Sequence, residues 1–80
     1  MLNFDYDKAM THIQELRQIA EEMERMRSQK LDSVIEGVQS SWKGDAGKSI
    51  LVKCEEFGLR IEKEIQNIHL LIDQLETEVS

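Results

Sequence analysis

Residues 40–50 read SSWKGDAGKSI and lie near the midpoint of an 80-residue chain that contains no proline. They include the only tryptophan, Trp42, which is followed two positions later by Gly44. Gly44 lacks the Cβ atom that opposes the left-handed conformation at the end of a helix. Asp45 is a residue type that accepts hydrogen bonds from the free N–H groups at the start of a helix, so we expect it to act as a helix cap. The stretch therefore predicts that one helix ends and another begins here.

Apolar residues on both sides of this stretch are spaced by threes and fours, which places them on one face of a helix. The first stripe contains Ala9, Ile13, Leu16, Ala20, Met23, Arg27, Leu31, Val34, Val38 and Trp42, with Arg27 as its only polar member. The second stripe contains Ala46, Ile50, Cys54, Phe57, Ile61, Ile65, Ile68, Ile72, Leu75 and Val79. If the chain reverses between them, the two stripes face each other along their whole length.

The pattern predicts an all-α fold, an antiparallel two-helix hairpin that forms a single domain over residues 1–80. We expect the first helix over residues 6–42, the bend over 43–45 and the second helix over 46–78. Arms of roughly 35 residues would be about 50 Å long at the rise of an α-helix. Gly37 and Gly58 lie within the helices, where a close approach of the other helix would explain them.

The sequence contains more apolar residues than two facing helices can bury. The apolar band is as wide as that of a helix in a four-helix bundle. We therefore expect the hairpin to associate with another helical protein, or with a second copy, into such a bundle. The residues expected at the partner interface are Met10, Ile19, Met26, Ile35, Leu51, Leu59 and Leu71.

Composition argues against several classes of function. The net charge of −6 is unfavourable for contact with nucleic acid or with an anionic membrane surface. No run of 18 uncharged apolar residues is present, and the first twelve residues lack the positive and apolar regions of a secretory signal. We therefore expect neither nucleic-acid binding nor membrane insertion.

The sequence offers few groups for catalysis or for metal binding. His12 and His69 do not meet in the expected pairing of the arms, and neither has a cysteine nearby or another histidine three or four residues away, so we expect no metal, no cofactor and no enzymatic activity. The stretch GDAGKS is too short between its glycines for a phosphate-binding loop. Cys54 is the only cysteine, and it is either a buried apolar side chain or a thiol used in redox chemistry or crosslinking.

Trp42 has two interpretations as well. At the last turn of the first helix its indole can cover the open end of the core. Alternatively, it is a recognition residue at the tip of the hairpin. The spacing of the apolar residues is compatible with both.

A long helix, the sequence Trp42-Lys43-Gly44 in the bend, Ala46 two residues on and a second amphipathic helix resemble the WXG family of small type VII secretion proteins, which includes the early secreted antigenic target. The resemblance implies helical hairpins that dimerise, with themselves or with a relative, into antiparallel four-helix bundles. It also implies export from the bacterial cytoplasm without a cleaved signal, with Trp42 and Gly44 in the surface presented to the secretion machinery. The family's usual C-terminal Tyr-x-x-x-Asp or Glu motif is not found here, since the only tyrosine is Tyr6, so that signal is missing, truncated or supplied by a partner.

The resemblance further implies a non-enzymatic adaptor or targeting chaperone, of the kind that accompanies larger toxins in Gram-positive bacteria. Such a protein binds a paralogue or the helical N-terminal domain of a toxin and helps to present it for export. The alternative is a self-dimerising exported effector or structural protein. A third interpretation is a helical bundle from an unrelated assembly, in which Trp42-Lys43-Gly44 occurs by coincidence.

Overall fold

Helices account for nearly all of the described chain. The computed structural model describes residues 5–79, which contain α1 (Tyr6–Arg25), a π-helical segment (Met26–Leu31), α2 (Asp32–Ser41) and α3 (Gly44–Val79), and no strand. The first three segments follow one another without a break and form the first arm of a hairpin, and α3 forms the second arm. The predicted all-α, hairpin-like fold is thus confirmed, while its association into a four-helix bundle stays a prediction.

The start of α1 is fixed by a side-chain cap. Oδ1 of Asp5 accepts hydrogen bonds from the backbone N–H groups of Asp7, at 3.0 Å, and Lys8, at 3.3 Å. The backbone of Asp5 is extended (φ −89°, ψ 113°), as is usual for the residue just before a helix. The first N–H groups of a helix have no partner within it, so this cap stabilises a helix that starts at Tyr6.

The first arm contains a wider turn that the apolar spacing does not predict. We expected one regular helix over residues 6–42, whereas Met26–Leu31 is π-helical. The residues between Met26 and Leu31 are all polar (RSQK), so no apolar side chain among them can hold this turn against α3. Because a π turn contains more residues than an α turn, the side chains of α2 are rotated about the helix axis relative to an unbroken α-helix.

The chain reverses at Trp42 and Lys43, between α2 and α3. Trp42 has an extended backbone (φ −113°, ψ 128°), and its N–H donates to the carbonyl oxygen of Val38 at 2.9 Å. Gly44 has a φ of 74°, the left-handed conformation expected of it from the sequence. The bend is tighter than the predicted residues 43–45, because α3 already begins at Gly44.

Asp45 lies in the first turn of α3 rather than in the capping position before the helix. A cap at Asp45 would require the helix to begin at Ala46, and α3 begins two residues earlier, at Gly44. The carboxylate is still near the unpaired N–H groups of this turn, where a negative charge is favourable. The predicted cap is thereby corrected to an acidic residue of the first turn.

Gly47 lets the start of α3 pass close to the bend. A Cβ atom on Gly47 would lie 2.7 Å from the carbonyl oxygen of Trp42 and 3.0 Å from its carbonyl carbon. A contact this short with backbone atoms would force the backbone to move. No role for Gly47 follows from the apolar spacing, and only the close approach of the two segments reveals one.

The core of the hairpin is a single line of side chains between the arms. The buried apolar residues among those described are Ile13, Ala20, Val38, Ile61, Ile65 and Ile72. All of them belong to the two predicted stripes. Four other members of the stripes are exposed instead: Val34, Trp42, Ala46 and Phe57.

The exposure of Phe57 follows from its neighbour. Gly58 faces the first arm, and a Cβ atom there would lie 3.1 Å from Cδ2 of Leu31. The arms approach each other closely at this point, as expected for a glycine within a helix, and Phe57 is turned to the side. On the first arm, beyond the π-helical segment, Ile35 is half-buried whereas Val34 is exposed.

The hairpin is long and thin. Its backbone measures 63 × 15 × 13 Å, and its radius of gyration is 18.1 Å, against about 12 Å for a globular domain of this length. The accessible surface of 6364 Å² exceeds the value of about 5000 Å² expected for a globular monomer of this mass. The excess is about 1400 Å², whereas a standard protein–protein interface buries about 800 Å² on each partner. The chain therefore exposes enough surplus surface for a whole interface.

Alanine substitutions at two glycines test this description of the bend. Gly47→Ala should lower the melting temperature, because the added methyl group would push the carbonyl of Trp42 away. Gly37→Ala is the matched control: no atom lies within 4 Å of a Cβ there, so the close approach expected at Gly37 does not occur. We expect this control to raise the free energy of unfolding by up to about 1 kcal/mol. Thermal unfolding followed by circular dichroism measures both, and equal stabilisation by the two changes would contradict the contact at the bend.

Candidate interaction surfaces

The two arms meet along a line, so the hairpin has two long edges where side chains of both arms lie side by side. One edge is marked by an ion pair between the arms, in which Nη2 of Arg17 lies 2.7 Å from Oε2 of Glu76. Both side chains are more than a third exposed, so the pair contributes about 1 kcal/mol at most. Its position defines the side of the hairpin that we name the polar edge.

The polar edge carries charged residues along most of its length. Glu21, Glu24 and His69 lie next to Arg17 around a shallow groove. Nearer the bend, a second groove between the arms is lined by the charged residues Arg27, Asp32, Glu55 and Glu62. This side of the hairpin is therefore suited to solvent or to a charged partner.

The opposite edge is apolar. Consecutive residues of a helix point about 100° apart, so Leu16 lies on the other side of the core line from its neighbour Arg17. Leu75 is separated from Glu76 in the same way. The apolar edge comprises Leu16, Ile19 and Met23 of α1, Val34 of α2, and Phe57, Ile68, Leu71 and Leu75 of α3.

Half of the side chains on the apolar edge are largely exposed. Ile19 and Leu71, from opposite arms, are 46% and 44% exposed, and Val34 and Phe57 are 53% and 49% exposed. The other members are half-buried and connect these four to the core. Exposed apolar side chains grouped on one side of a small protein are typical of a site that binds another protein. The apolar edge is therefore the candidate interaction surface.

The residues predicted at the partner interface do not form one surface. Ile19 and Leu71 lie on the apolar edge. Ile35 and Leu59 lie on the polar edge, where both line the groove that contains Arg27. Leu51 is half-buried in α3 near the bend.

The two methionines of the predicted interface line grooves away from the apolar edge. Met10 lines a groove near the chain ends together with Tyr6 and Asp73. Met26 begins the π-helical segment and borders a groove of charged residues on the first arm. The apolar spacing thus identifies side chains outside the inner stripes, but it does not sort them between the two edges.

Charge is distributed unevenly along the hairpin. Residues 27–62, which form the half that contains the bend, carry six basic and six acidic side chains. Residues 5–26 and 63–79 form the other half, and they carry the whole net charge of −6. A partner that lies along the hairpin therefore meets a neutral half and a strongly acidic half.

Trp42 lies at the bend end of the hairpin. It is 54% exposed, so its indole covers the end of the core only in part. Tryptophan is enriched among the residues that dominate the binding energy of protein–protein interfaces. Of its two interpretations, the exposure of Trp42 favours recognition.

The histidines and the cysteine do not come together. His12 lies beside Glu15 of the same helix, with Nδ1 and Oε1 3.7 Å apart, whereas His69 lies on the polar edge of α3. Cys54 is half-buried and has no disulfide partner. Among residues 5–79, no group of three or more His, Cys, Asp or Glu side chains is arranged to hold a metal ion. Over the same range, no helix has both the length and the apolar character needed to span a membrane.

Comparisons with known protein families, curated proteins and solved structures find no match for this chain. The resemblance to the WXG family rests on residues 42–44 and on the hairpin-like fold. The case for a function therefore depends on the surfaces of the hairpin itself.

Polar substitutions on the apolar edge separate binding from folding. The double change Ile19→Gln and Leu71→Gln replaces side chains that are slightly more than half buried, so we expect it to lower the free energy of unfolding by up to about 1.5–3 kcal/mol, and circular dichroism verifies that the variant is folded. It should weaken association of the chain in sedimentation velocity, alone or with a co-purified partner. Leu70→Gln is the matched control, since Leu70 is 65% exposed but lies on the outer face of α3. Equal weakening by the control would contradict the assignment of binding to the apolar edge.

Proposed function

We propose that this chain is a non-enzymatic adaptor, or targeting chaperone, which binds a second helical protein along its apolar edge and helps to present it for type VII secretion. The observation that carries the proposal is the surplus of exposed surface, about 1400 Å² beyond that of a globular monomer of the same mass. Two helices of a partner laid along the apolar edge would complete a four-helix bundle. Such a complex would cover the surface that the hairpin leaves open.

The apolar edge can supply the energy for such a complex. Burial of a whole apolar side chain stabilises by about 1.5–3 kcal/mol, so four half-exposed side chains would together contribute about 3–6 kcal/mol. The isolated hairpin buries few apolar residues and has little stability to spare. A molecule that binds only the folded state shifts the equilibrium towards folding. We therefore expect the partner to stabilise the hairpin as well as being bound by it.

The bend supports the connection with secretion. Trp42 is exposed at the end of the hairpin, and the positive φ of Gly44 permits the tight reversal beside it. In the WXG family, which the chain resembles, the Trp-x-Gly bend belongs to the export surface. We therefore assign Trp42 to contact with the secretion machinery, and the apolar edge to a paralogue or to the helical N-terminal domain of a toxin. The chain would act in the bacterial cytoplasm and would be exported without a cleaved signal.

A second candidate function is that of a self-dimerising protein that is itself exported. The uneven charge of the two halves favours self-dimerisation. Two copies laid head to tail place the acidic half of each beside the neutral half of the other. Parallel copies would instead bring two acidic halves together. Sedimentation of the purified chain distinguishes the candidates: a stable dimer supports self-association, and a monomer that forms a complex only with a second protein supports the adaptor.

Replacement of Trp42 tests the role of the bend. With Trp42→Ala we expect the chain to bind its partner as before, because the apolar edge is unchanged. Export of the complex should fall about tenfold or more, since loss of a dominant tryptophan contact typically costs about 2 kcal/mol or more. Co-purification measures binding, and immunoblots of the culture medium measure export.

Two variants serve as controls for this experiment. Trp42→Phe keeps an aromatic ring and should retain part of the export. Val52→Ala removes another exposed apolar side chain, on α3, and should have no effect. Unchanged binding and unchanged export with Trp42→Ala would exclude the bend from the function.

A further inference from the structure

A notch lies on the polar edge at the level of the π-helical segment. Its floor is Gly58, whose missing side chain leaves a depression beside Leu31. Ile35, Cys54 and the largely exposed Leu59 form apolar walls. The open space has a volume of about 330 Å³, near the lower limit for ligand pockets. The notch is therefore large enough to receive side chains of another molecule.

Charged residues surround the apolar floor. Asp32, Glu55 and Glu62 line the notch, and none of them forms an ion pair within residues 5–79. Arg27 also lines it, and this residue pairs loosely with Glu24 of its own arm, at 4.0 Å between Nη2 and Oε1. Three carboxylates against one guanidinium give the notch a negative charge that the hairpin does not neutralise.

One buried polar atom at the notch has no partner. Nε of Arg27 is buried and has no hydrogen-bond acceptor among residues 5–79. Buried donors are normally paired, so the Arg27 side chain, which is 33% exposed as a whole, gains a hydrogen bond if it turns outward and its Nε meets an acceptor on a bound molecule. Arg27 is the only polar residue in the first predicted stripe. Because it lines the notch, it is placed to bind a partner there.

We propose that the notch is a second docking site, which receives a basic amphipathic helix of a partner protein. A large apolar side chain of that helix enters over Gly58, and its Lys or Arg side chains pair with Asp32, Glu55 and Glu62. The Arg27 side chain turns outward, and an oxygen atom of the same segment accepts the hydrogen bond from its Nε. Such a helix covers the apolar floor, pairs with the free carboxylates and accepts the hydrogen bond that Arg27 lacks.

A second copy of this chain does not suit the notch. Two copies related by two-fold symmetry through the same site would place Asp32, Glu55 and Glu62 against their own equivalents. Like charges brought together in this way are unfavourable. The occupant is therefore a different protein, with basic residues where this chain has acidic ones.

The notch and the apolar edge lie on opposite sides of the hairpin. A protein bound at one of them leaves the other uncovered, so the chain would hold two different proteins at once. This inference is independent of the proposed function, because loss of binding at the apolar edge leaves the notch intact. It predicts a three-component complex with the hairpin in the middle.

Two synthetic helical peptides serve as probes of the notch. Both carry the same row of leucines, but one has lysines beside the row and the other has glutamates. We expect the lysine peptide to bind the full chain at least about tenfold more tightly in calorimetry, which corresponds to about 1.4 kcal/mol. Cys54 is the only cysteine and lines the notch, so its rate of reaction with a thiol reagent reports occupancy. The lysine peptide should slow this reaction.

A pair of charge reversals locates the binding. Glu55→Lys combined with Glu62→Lys should remove both the preference for the lysine peptide and the protection of Cys54. The matched control combines Glu64→Lys with Glu78→Lys, which changes the net charge equally on the other side of α3 and should retain both effects. All four side chains are exposed, so both variants should fold, which circular dichroism verifies.

Three results would overturn the proposal. Equal affinity for the two peptides would show that the charge of the notch selects nothing. Equal effects of the two charge-reversal pairs would show that the lysine peptide is attracted by the net negative charge of the whole protein and not by the notch. A reaction of Cys54 that slows as the concentration of the chain alone is raised would place a second copy in the notch.

Discussion

Two helices that lie side by side can bury only a narrow line of side chains, and most features of this chain follow from that limit. The core is a single file of small and β-branched residues, from Ile13 to Ile72. Any apolar residue far from that line has to face one of the two edges, as Ile19 and Leu71 do. The hairpin is consequently long, thin and rich in exposed surface. Association with other helices is the direct way to cover that surface, whichever partner does so.

The spacing of apolar residues was enough to predict both arms, the bend and the buried apolar residues, because the core of a helix pair repeats with the helical period. The spacing did not predict that Phe57 is exposed. It depends on the positions of apolar side chains, whereas the two arms come close together at Gly58, which has no side chain. The π-helical segment was missed because its polar residues leave the helical phase undefined. The residues predicted at the partner interface lie on different sides of the hairpin. The spacing does not show which edge a residue takes until a contact between the arms, such as Arg17–Glu76, defines the sides.

The uneven distribution of charge along the hairpin results from folding and does not show in the composition of the chain. Equal numbers of charged residues occur before and after the bend, so the sequence reads as uniformly acidic. The reversal places residues 5–26 and 63–79 together at one end and residues 27–62 at the other, which separates an acidic half from a neutral one. In the proposed complex, this separation of charge would orient the partner along the hairpin, while the apolar edge would supply the affinity. The bend thus organises the surface as well as the core.

The slender shape also bears on passage through a pore. The backbone is 15 × 13 Å in cross-section, whereas a globular domain of this length would be about 30 Å in diameter. A channel in which a globular domain would have to unfold can admit this chain lengthwise with its helices intact. If the proposed export takes place in that orientation, it would require no unfolding of the helices before passage and no refolding after it.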